Sequence, residues 1–417
     1  MIGTIADDMT GGTDAAVAFH RQGLRTGVYF DTPPPGGVDA ALDAAVIALK
    51  TRTIPAADAV AQSLAAAERL REAGASRLYF KYCSTFDSTA EGNIGPVFDA
   101  LAAFTGTDAV VTTPSSPEHG RTAYQGHLFV HDRPLAESPM RDHPLTPMRD
   151  SSLVRLMDAQ TAAGAAAVLP HRIVRDGAEA LAARIAEART GHRYLFPDAI
   201  TDDDLLVIAR AIADEPLSGG GAGLAGALAR IVAERGGPRT AAPERPPGGT
   251  AVVLAGSCSR RTLEQVDLMR RAGRPAHRLD AAATPDPHAL AEHALAWYDA
   301  LDPGRAPLIY SSLPPAELAA VQRALGTERS AEILEAATAR IARGLRRRGV
   351  TRFVCAGGET SGAIVAALAV GGGVIGAEAA RGVPWIRTGQ GLDLLLKSGN
   401  FGEPDLLLTA SAAEERP

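Results

Sequence analysis

Two adjacent carboxylates, Asp7 and Asp8, stand near the start of the chain in Ala-Asp-Asp-Met-Thr-Gly-Gly-Thr-Asp, residues 6–14. The segment follows an apolar run that predicts a strand, and a helix is expected to begin near Ala15. Ligands of open α/β sheets bind at such strand-to-helix crossings, where either aspartate could orient or deprotonate a substrate hydroxyl. The alternative is a plain turn that caps the helix, but two acids and two glycines exceed what a cap needs. We therefore favour a catalytic role.

A second segment, residues 81–95, combines a lysine with a carboxylate and several hydroxyl groups directly after another predicted strand. Lys81 is the candidate cation, and Asp87, Ser88 and Thr89 are candidate hydrogen-bonding groups. Together they could bind an anionic small molecule, which the spacing does not identify. The alternative is an exposed, hydroxyl-rich loop.

Arg52 follows a third predicted strand, within the sequence Lys-Thr-Arg-Thr at residues 50–53. A guanidinium can hold a substrate carboxylate through two parallel hydrogen bonds. Taken alone, such a segment is more often a solvated loop. Arg52 is therefore a candidate substrate-binding residue only in combination with the other candidate segments.

Lysine and asparagine are rare in this chain, which has 39 arginines but three lysines and two asparagines. A sequence that uses arginine almost everywhere retains lysine where a compact ammonium is required, or by chance. The rare residues lie in or beside the candidate segments described here. They are Lys50, Lys81, Lys397, Asn93 and Asn400.

Three glycine- and serine-rich segments in the C-terminal half could together form a nucleotide site. They are residues 255–259, residues 357–362 and residues 397–402. The second leads into a helix expected over 363–370, and backbone N–H groups at a helix start bind phosphate. The third is expected to precede a last strand at 405–408. Plain turns are the alternative for each segment. The candidate nucleotide contacts are Ser257, Ser259, Gly357, Gly358, Glu359, Thr360 and Gly402.

A formal G-x-G-x-x-G pattern occurs at Gly221, Gly223 and Gly226. A dinucleotide fingerprint directly follows a strand and opens a domain. Here the pattern is expected to follow a helical stretch at 205–213 and to close a domain. It is a weak indication of NAD binding.

Four histidines lie close together in the N-terminal half, with two aspartates among them. They are His119, His127, His131 and His143, with Asp132 and Asp142. Frequent prolines and glycines predict loops here, so a helical register for His127 and His131 is doubtful. Zinc binding is disfavoured, and the role of the cluster stays open.

The composition excludes several classes of protein. A net charge of −6 and a pI near 6.0 argue against nucleic-acid and membrane-surface partners. No lysine stands in a Walker motif, and neither Asp-Phe-Gly nor His-Arg-Asp of protein kinases occurs. Three scattered cysteines and an N-terminus without a basic region predict a cytoplasmic protein. The longest uncharged stretch, residues 360–377, contains a glycine triplet and predicts a buried helix and strand.

A length of 417 residues predicts two domains. We expect an N-terminal domain at 1–235, a Pro/Gly-rich linker at 236–249, a C-terminal domain at 250–410 and a tail at 411–417. Short apolar runs alternating with helices predict an α/β fold with a mainly parallel sheet flanked by helices in each domain. Strands are expected at 2–6, 26–30, 45–49, 77–82, 109–113, 193–196, 251–255, 307–310, 352–356 and 405–408.

Taken together and in order, five of these motifs resemble the four-carbon acid sugar kinases over nearly the whole chain. The motifs are residues 6–14, 81–89, 256–259, 357–362 and 397–402. Within that family, Lys-Tyr-Cys-Ser-Thr-Phe-Asp-Ser at 81–88 resembles the 3-oxo-tetronate kinases, whereas threonate and erythronate kinases carry a shorter form. The stretch 120–130 is also similar to that subgroup.

The resemblance implies a sugar-acid domain followed by a nucleotide domain, with the active site in the cleft between them. ATP, with Mg²⁺, would phosphorylate the C4 hydroxyl of 3-oxo-tetronate. Asp7, Asp8 and Lys81 would be catalytic, and the loops of the C-terminal half would bind ATP. Arg52, Asp87, Ser88 and Thr89 would bind the substrate. One departure is Ser218–Gly223, where the family usually shows Thr-Gly-Gly-Ser-Gly and this chain lacks a hydroxyl at position 221.

Several alternatives stay open at this point. The substrate could be D-threonate or D-erythronate, and a non-catalytic sugar-acid sensor could use the same frame. An NAD-dependent dehydrogenase is a third and weaker alternative. Spacing does not decide which aspartate is the base or what binds the metal, and a homodimer is compatible with the sequence without being required by it.

Overall fold

The computed structural model describes residues 1–143, 146–161, 166–236, 248–302 and 306–412. The chain divides into two compact units, residues 1–241 and 242–417. Most of the expected linker at 236–249 and of the tail at 411–417 lies outside the described residues.

Within the described part of the N-terminal unit, eight parallel strands form one sheet and three short antiparallel strands form another. The order in the large sheet is β2-β3-β1-β4-β11-β5-β10-β9, and β6-β7-β8 form the small one. The strands are β1 (Ile2–Ala6), β2 (Thr26–Phe30), β3 (Ala44–Ala48), β4 (Arg77–Lys81), β5 (Val110–Thr113), β6 (Arg121–Tyr124), β7 (His127–Val130), β8 (Arg133–Pro134), β9 (Ala166–Leu169), β10 (Tyr194–Pro197) and β11 (Leu217–Gly220). The helices are α1 (Met9–His20), α2 (Ala56–Glu72), α3 (Ile94–Thr105), α4 (Leu153–Asp158), α5 (His171–Arg175), α6 (Ala178–Ala188), α7 (Asp202–Ala211) and α8 (Ala222–Gly236).

Helices cover the large sheet of this unit in two groups. α1 packs against α8, which packs against α7, whereas α2 packs against α3. Every residue of β1 and β3 is buried. Their sequences do not alternate between apolar and polar residues, which is typical of parallel strands covered on both faces.

The strands of the C-terminal unit are also mainly parallel to one another. Their order among the described residues is β13-β14-β12-β15-β18-β17-β16, with the last two strands antiparallel to their neighbours. The strands are β12 (Thr250–Ala255), β13 (Ala276–Arg278), β14 (Leu308–Tyr310), β15 (Val350–Ala356), β16 (Gly372–Ala380), β17 (Val383–Thr388) and β18 (Asp393–Lys397). The helices are α9 (Arg260–Arg271), α10 (Pro287–Asp299), α11 (Pro315–Leu325), α12 (Thr327–Arg347), α13 (Gly358–Ala367) and α14 (Leu406–Ala410). The predicted α/β class with mainly parallel sheets is confirmed. None of the described helices is long and apolar enough to span a bilayer.

Several secondary-structure elements differ from those predicted from the sequence. The strand expected at 405–408 is wrong because this short apolar run forms α14, and such runs do not distinguish strand from helix by periodicity. Lys397 therefore ends β18, and residues 398–402 precede a helix instead of a strand. The helix expected near Ala15 begins at Met9, and the one expected at 363 begins at Gly358.

β11 is a strand that the sequence did not reveal, and it changes the setting of the G-x-G-x-x-G pattern. The pattern was expected to follow a helical stretch, but β11 lies between α7 and the glycines. β11 has four residues, two of them glycine, so it lacks the β-branched and aromatic residues that signal strands.

The sheet register aligns the ends of the strands that carry the candidate residues. In the N-terminal unit, Ala6 pairs with Ala48 and with Lys81, and Lys81 pairs with Gly220. Because the strands are parallel, the chain leaves all four at the same edge. The segments that begin with Asp7, Leu49, Tyr82 and Gly221 are thus neighbours.

Candidate substrate and nucleotide sites

Arg52 joins the two adjacent aspartates at this edge of the N-terminal sheet. Its Nε donates to Oδ2 of Asp7 over 2.9 Å and its Nη2 donates to Oδ1 of Asp7 over 2.7 Å. The same Nη2 donates to Oδ1 of Asp8 over 2.6 Å. Among the described residues, Nη1 of Arg52 and Oδ2 of Asp8 have no hydrogen-bond partner.

Burial differs sharply between the two aspartates. The side chain of Asp7 is 2% exposed and that of Asp8 is 28% exposed. Burial raises the pKa of Asp7, and the charges of Arg52 and Lys81 limit that rise. Burial acts to lower the pKa of Arg52, but the neighbouring Asp7 outweighs it, so the pKa of Arg52 is raised. Asp7 is thus a buried partner of Arg52, and Asp8 is the carboxylate within reach of a ligand.

Asp8 also caps helix α1. Its backbone is extended, and its Oδ1 accepts a hydrogen bond from the backbone N–H of Gly11 over 3.0 Å. This fixes the carboxylate at the positive end of the helix dipole. Helix capping and a catalytic role of Asp8 are therefore compatible. Oδ1 accepts the hydrogen bond from the start of the helix, while Oδ2 has no partner among the described residues.

Lys81 lies beside these groups and is almost completely buried, with 4% of its surface exposed. Its Nζ donates to the carbonyl oxygen of Tyr82 over 2.9 Å. A Cβ placed on Gly11 would lie 3.0 Å from Nζ of Lys81 and would also collide with Oδ1 of Asp8. Lys81 and Asp8 thus face each other across the first turn of α1, and Gly11 leaves that space open.

Asp87 is held by its own loop. Its Oδ1 accepts from the hydroxyl of Thr85 over 2.6 Å, and its Oδ2 accepts from the thiol of Cys83 over 3.0 Å. Burial raises the pKa of Cys83 to about 11, although the nearby charge of Arg52 opposes the rise. Cys83 therefore acts at neutral pH as a thiol that donates to Asp87. It also links the loop of Asp87 to the surroundings of Arg52.

Ser88 and Asn93 of this loop hydrogen-bond to other segments of the N-terminal unit. The hydroxyl of Ser88 accepts from Nε2 of Gln160 over 2.9 Å, and Thr89 is half-buried. Asn93 ties the loop to the segment of Arg52, since its Nδ2 donates to the carbonyl oxygen of Thr51 over 2.5 Å. The structure thus brings Asp7, Asp8, Arg52 and Lys81 together directly and connects Asp87 to them through Cys83.

The glycine segment after β11 follows the same sheet edge, and position 221 has no room for a side chain. A Cβ on Gly221 would lie 2.6 Å from the carbonyl oxygen of Pro114. The hydroxyl that the family pattern places there is excluded by the course of this backbone. The hydroxyl of Tyr79 instead donates to the carbonyl oxygen of Gly221 over 2.7 Å and fixes the turn.

In the C-terminal unit, three predicted loops leave one sheet edge side by side. Ala255 of β12 pairs with Ala356 of β15, which pairs with Lys397 of β18. The backbone N–H of Ser257 donates to the carbonyl oxygen of Ala356 over 3.1 Å, and that of Gly357 donates to the carbonyl oxygen of Lys397 over 3.0 Å. The three loops therefore form one continuous surface of glycine and hydroxyl groups.

Ser259 and Thr360 mark the two helix starts at this surface. Ser259 is the N-cap of α9, and its Oγ accepts from the backbone N–H of Thr262 over 3.3 Å. Thr360 lies in the first turn of α13 beside Gly256, where an added Cβ would collide with Oγ1 of Thr360. Two helix N-termini and close-packed glycines provide backbone N–H groups for phosphate oxygens.

The other predicted nucleotide contacts surround these helix starts. Gly357 precedes α13, while Gly358 and Glu359 are exposed in its first turn. Gly402 has a φ of 79°, a left-handed backbone that favours glycine, and it ends the third loop. Oγ of Ser257 accepts from the backbone N–H of Ser259 over 3.2 Å and so orders the first loop.

Comparisons with known proteins match both units. The family model for a sugar-binding N-terminal domain matches residues 2–228, and that for a nucleotide-binding C-terminal domain matches residues 252–407. The 3-oxo-tetronate kinase of Cupriavidus necator is 47% identical over 97% of this chain and 95% of its own length. The 3-oxo-tetronate kinase of Burkholderia multivorans is 48% identical over 97% of this chain and 95% of its own length. The chain belongs to the four-carbon acid sugar kinase family.

A solved structure extends the relationship to the fold of this sugar kinase family. A crystal structure of a Salmonella typhimurium LT2 protein superimposes with a TM-score of 0.91 at 41% identity and covers 98% of both chains. The predicted resemblance, including its 3-oxo-tetronate kinase subgroup, is confirmed.

The structure gives no support to metal binding by the histidine cluster. His119 hydrogen-bonds to the hydroxyl of Ser116 over 2.9 Å, and His143 to that of Thr146 over 3.0 Å. No group of three or more His, Cys, Asp or Glu residues in the described part of the chain could hold a metal ion. His127 and His131 lie on β7 and in the turn after it, so they do not share a helix face.

Some residues of the candidate sites were not singled out from the sequence. Cys83 and Thr85 hold Asp87, Gln160 holds Ser88, and Thr262 contacts the first and third glycine-rich loops. For Thr262, the spacing of three residues from Ser259 is an N-cap signal that could have found it. No local sequence pattern identifies Gln160, because its hydrogen bond to Ser88 joins segments that are far apart in the chain.

Proposed function

We propose that this chain transfers the γ-phosphoryl group of ATP to the C4 hydroxyl of 3-oxo-tetronate. The observation that carries the proposal is the full-length identity of 47–48% with curated 3-oxo-tetronate kinases, in a chain whose two units carry a carboxylate–lysine cluster and a set of phosphate-binding loops. Phosphoryl transfer requires mainly positioning and charge neutralisation. Each requirement has a group in this chain.

We assign the role of base to Asp8 and a supporting role to Asp7. Arg52 occupies both oxygens of Asp7, whereas Oδ2 of Asp8 has no partner among the described residues. Asp8 would accept the proton of the attacking hydroxyl. Lys81, Nη1 of Arg52 and the Asp87–Ser88–Thr89 segment would hold the sugar acid, with the lysine facing its negative charge.

In the C-terminal unit, Ser257, Ser259, Gly357, Gly358, Thr360 and Gly402 would surround the phosphates of ATP. Mg²⁺ in kinases is held by one or two carboxylates together with the phosphates, and the exposed Glu359 in the first turn of α13 fits that donor set. Mg²⁺ would neutralise phosphate charge there.

A cytoplasmic location is proposed with the same reaction, supported by three free cysteines. The placement of the site relative to the two domains and a homodimer stay predictions.

A coupled assay of ADP release with 3-oxo-tetronate, D-threonate and D-erythronate tests the proposal. We expect turnover with 3-oxo-tetronate and the appearance of a phosphoester product. Turnover confined to threonate or erythronate would contradict the substrate assignment. Tight acid binding without any phosphoester, with ATP and Mg²⁺ present, would instead indicate a sensor.

A further inference from the structure

Lys397 is a buried cation at the centre of the nucleotide loops, and the reaction described so far does not use it. It is 1% exposed, which makes it one of the most buried residues of the C-terminal unit. It ends β18 at the sheet edge from which the loops of Ser257 and Gly357 also leave. In a chain with 39 arginines and three lysines, this position retains lysine.

The ammonium of Lys397 connects two of the loops. Nζ donates to Oγ1 of Thr262 over 3.0 Å, and to the carbonyl oxygens of Ser398 and Gly399 over 3.1 and 2.8 Å. Thr262 in turn donates to the carbonyl oxygen of Gly399 over 2.8 Å. A Cβ on Gly399 would lie 2.5 Å from Oγ of Ser257 and 2.9 Å from Oγ of Ser259. Lys397 therefore holds the third loop against the first.

All three acceptors of Lys397 are neutral. No carboxylate in the described part of the chain forms an ion pair with Nζ, and the nearby charge is the cation Arg261. A buried charge without a counter-charge is costly. Burial, together with the nearby charge of Arg261, lowers the pKa of Lys397 to about 8. The nucleotide loops thus contain a positive charge that lacks an anion.

We propose that the phosphates of a bound nucleotide supply this missing counter-charge, so that above neutral pH nucleotide binding draws a proton from solvent onto Lys397. The inference rests on the proposed nucleotide site. Lys397 is a positioning residue, because it acts through the loops that it holds and through its charge. Affinity for nucleotide is full while Lys397 is protonated in the free protein and falls as the pH rises through about 8.

The pH dependence due to Lys397 must be distinguished from that of other titratable groups on the segments packed against it. Glu359 on α13 and Glu403 after the third loop are the nearby carboxylates. Burial raises the pKa of Cys355 on β15, out of the tested range. Arg261 on α9 pairs with Glu264 over 3.3 Å. Cys258 in the first loop is a thiol, so a C258S variant serves as a control.

The test is calorimetric titration of the full chain with ADP, without added metal, at several pH values between 7.5 and 9. The terminal phosphate loses its last proton near pH 6 and is ionised throughout. We expect the Kd to weaken by about tenfold over this range. At pH 8, two buffers of different ionisation enthalpy should report uptake of about half a proton. A constant Kd without buffer dependence would overturn the inference, while absence of ADP binding at pH 7.5 would overturn the proposed function as well.

Variants separate the charge from a purely structural role. Lys397→Met should bind ADP more weakly at pH 7.5 and lose both the pH dependence and the proton uptake, whereas C258S should keep them. Arg343→Met, an exposed change on α12, is the matched control for loss of one positive charge. Retained proton uptake in folded Lys397→Met would refute the assignment. If that variant does not fold, the wild-type proton uptake still decides the question.

Discussion

Arg52 and Asp7 are joined both by their side chains and by their backbones. The guanidinium donates to both oxygens of Asp7 over 2.9 and 2.7 Å, and the backbone N–H of Arg52 donates to the carbonyl oxygen of Asp7 over 3.2 Å. This pair fixes the segment after β3 onto the segment after β1. Most of the donors of Arg52 are therefore committed to protein groups, which makes Arg52 first an organiser of the carboxylates and only through Nη1 a ligand for substrate.

Removing the guanidinium should destabilise the N-terminal unit. Arg52→Met leaves the nearly inaccessible Asp7 without its counter-charge, and breaking a buried pair of this kind costs about 3 kcal/mol of unfolding free energy. Chemical denaturation measures the change. In the double variant with Asp7→Asn the loss should be less than the sum of the two single losses, because the unpaired charge is then absent.

Arg155 and Asp150 provide the control for this prediction. They form a pair of the same geometry on the surface, with Nε and Nη2 of Arg155 at 2.6 and 2.5 Å from the two oxygens of Asp150. Arg155→Met should change the unfolding free energy little, since exposed ion pairs contribute weakly. Equal losses in Arg52→Met and Arg155→Met would mean that burial of Asp7 does not matter to the pair.

Asp8→Asn should abolish most of the turnover while the protein stays folded. Asparagine caps a helix as well as aspartate does, so α1 keeps its cap, but the amide cannot accept the proton of the attacking hydroxyl. We expect kcat to fall by about 10² to 10⁴ with the KM for ATP nearly unchanged. Steady-state kinetics and the thermal midpoint check this. A larger kcat loss in Asp7→Asn than in Asp8→Asn, at equal stability, would exchange the two roles.

The sequence predicted the fold well where strands are long and apolar. β1 and β2 were predicted to the residue, because each is a short, largely buried run without charged residues. β11 was missed since its burial comes from its neighbours β4 and β5 and not from its own side chains. The run at 405–408 was assigned as a strand because its three consecutive leucines carry too little periodicity to decide.

The candidate site was predictable in its residue types but not in its contacts. Sequence placed Asp7, Asp8, Lys81 and Arg52 at strand ends, and parallel registry brings them to one edge. The bond between Arg52 and Asp7 spans 45 positions of the chain and depends on the register of β1 and β3, which spacing does not reveal. The hydrogen-bond partners of Ser88 and Lys397 likewise become known only from the folded structure.

Lys81→Arg should impair turnover although it keeps the positive charge. The compact ammonium occupies a buried space between the carbonyl oxygen of Tyr82 and Gly11, and a planar guanidinium is too large for it. We expect kcat/KM for the sugar acid to fall by about tenfold or more, with Lys81→Met lower still. Comparing both variants in one ADP-release assay tests the order. Near-normal kinetics in Lys81→Arg would show that charge alone suffices there.

Cys83 should react slowly with iodoacetamide until the solution is strongly alkaline. Thiolate is the reactive form, and the pKa of Cys83 is raised to about 11, so little thiolate exists at pH 8. Peptide mass spectrometry after timed labelling follows Cys83 separately, and the denatured protein gives the unperturbed rate. Labelling at pH 8 as fast as in the denatured chain would contradict the thiol hydrogen bond to Asp87. Bound sugar acid should slow labelling further if the loop contacts substrate.

Gly399→Ala should weaken ATP binding without affecting the sugar acid. The added Cβ would lie 2.5 Å from Oγ of Ser257 and 2.9 Å from Oγ of Ser259, so the first and third loops must move apart. Overpacking of this kind costs about 1–3 kcal/mol, which predicts a KM for ATP raised by about tenfold. Gly371→Ala is the matched control, because a Cβ there meets no atom within 4 Å. An unchanged KM for ATP in Gly399→Ala would mean that these two loops do not bind the nucleotide together.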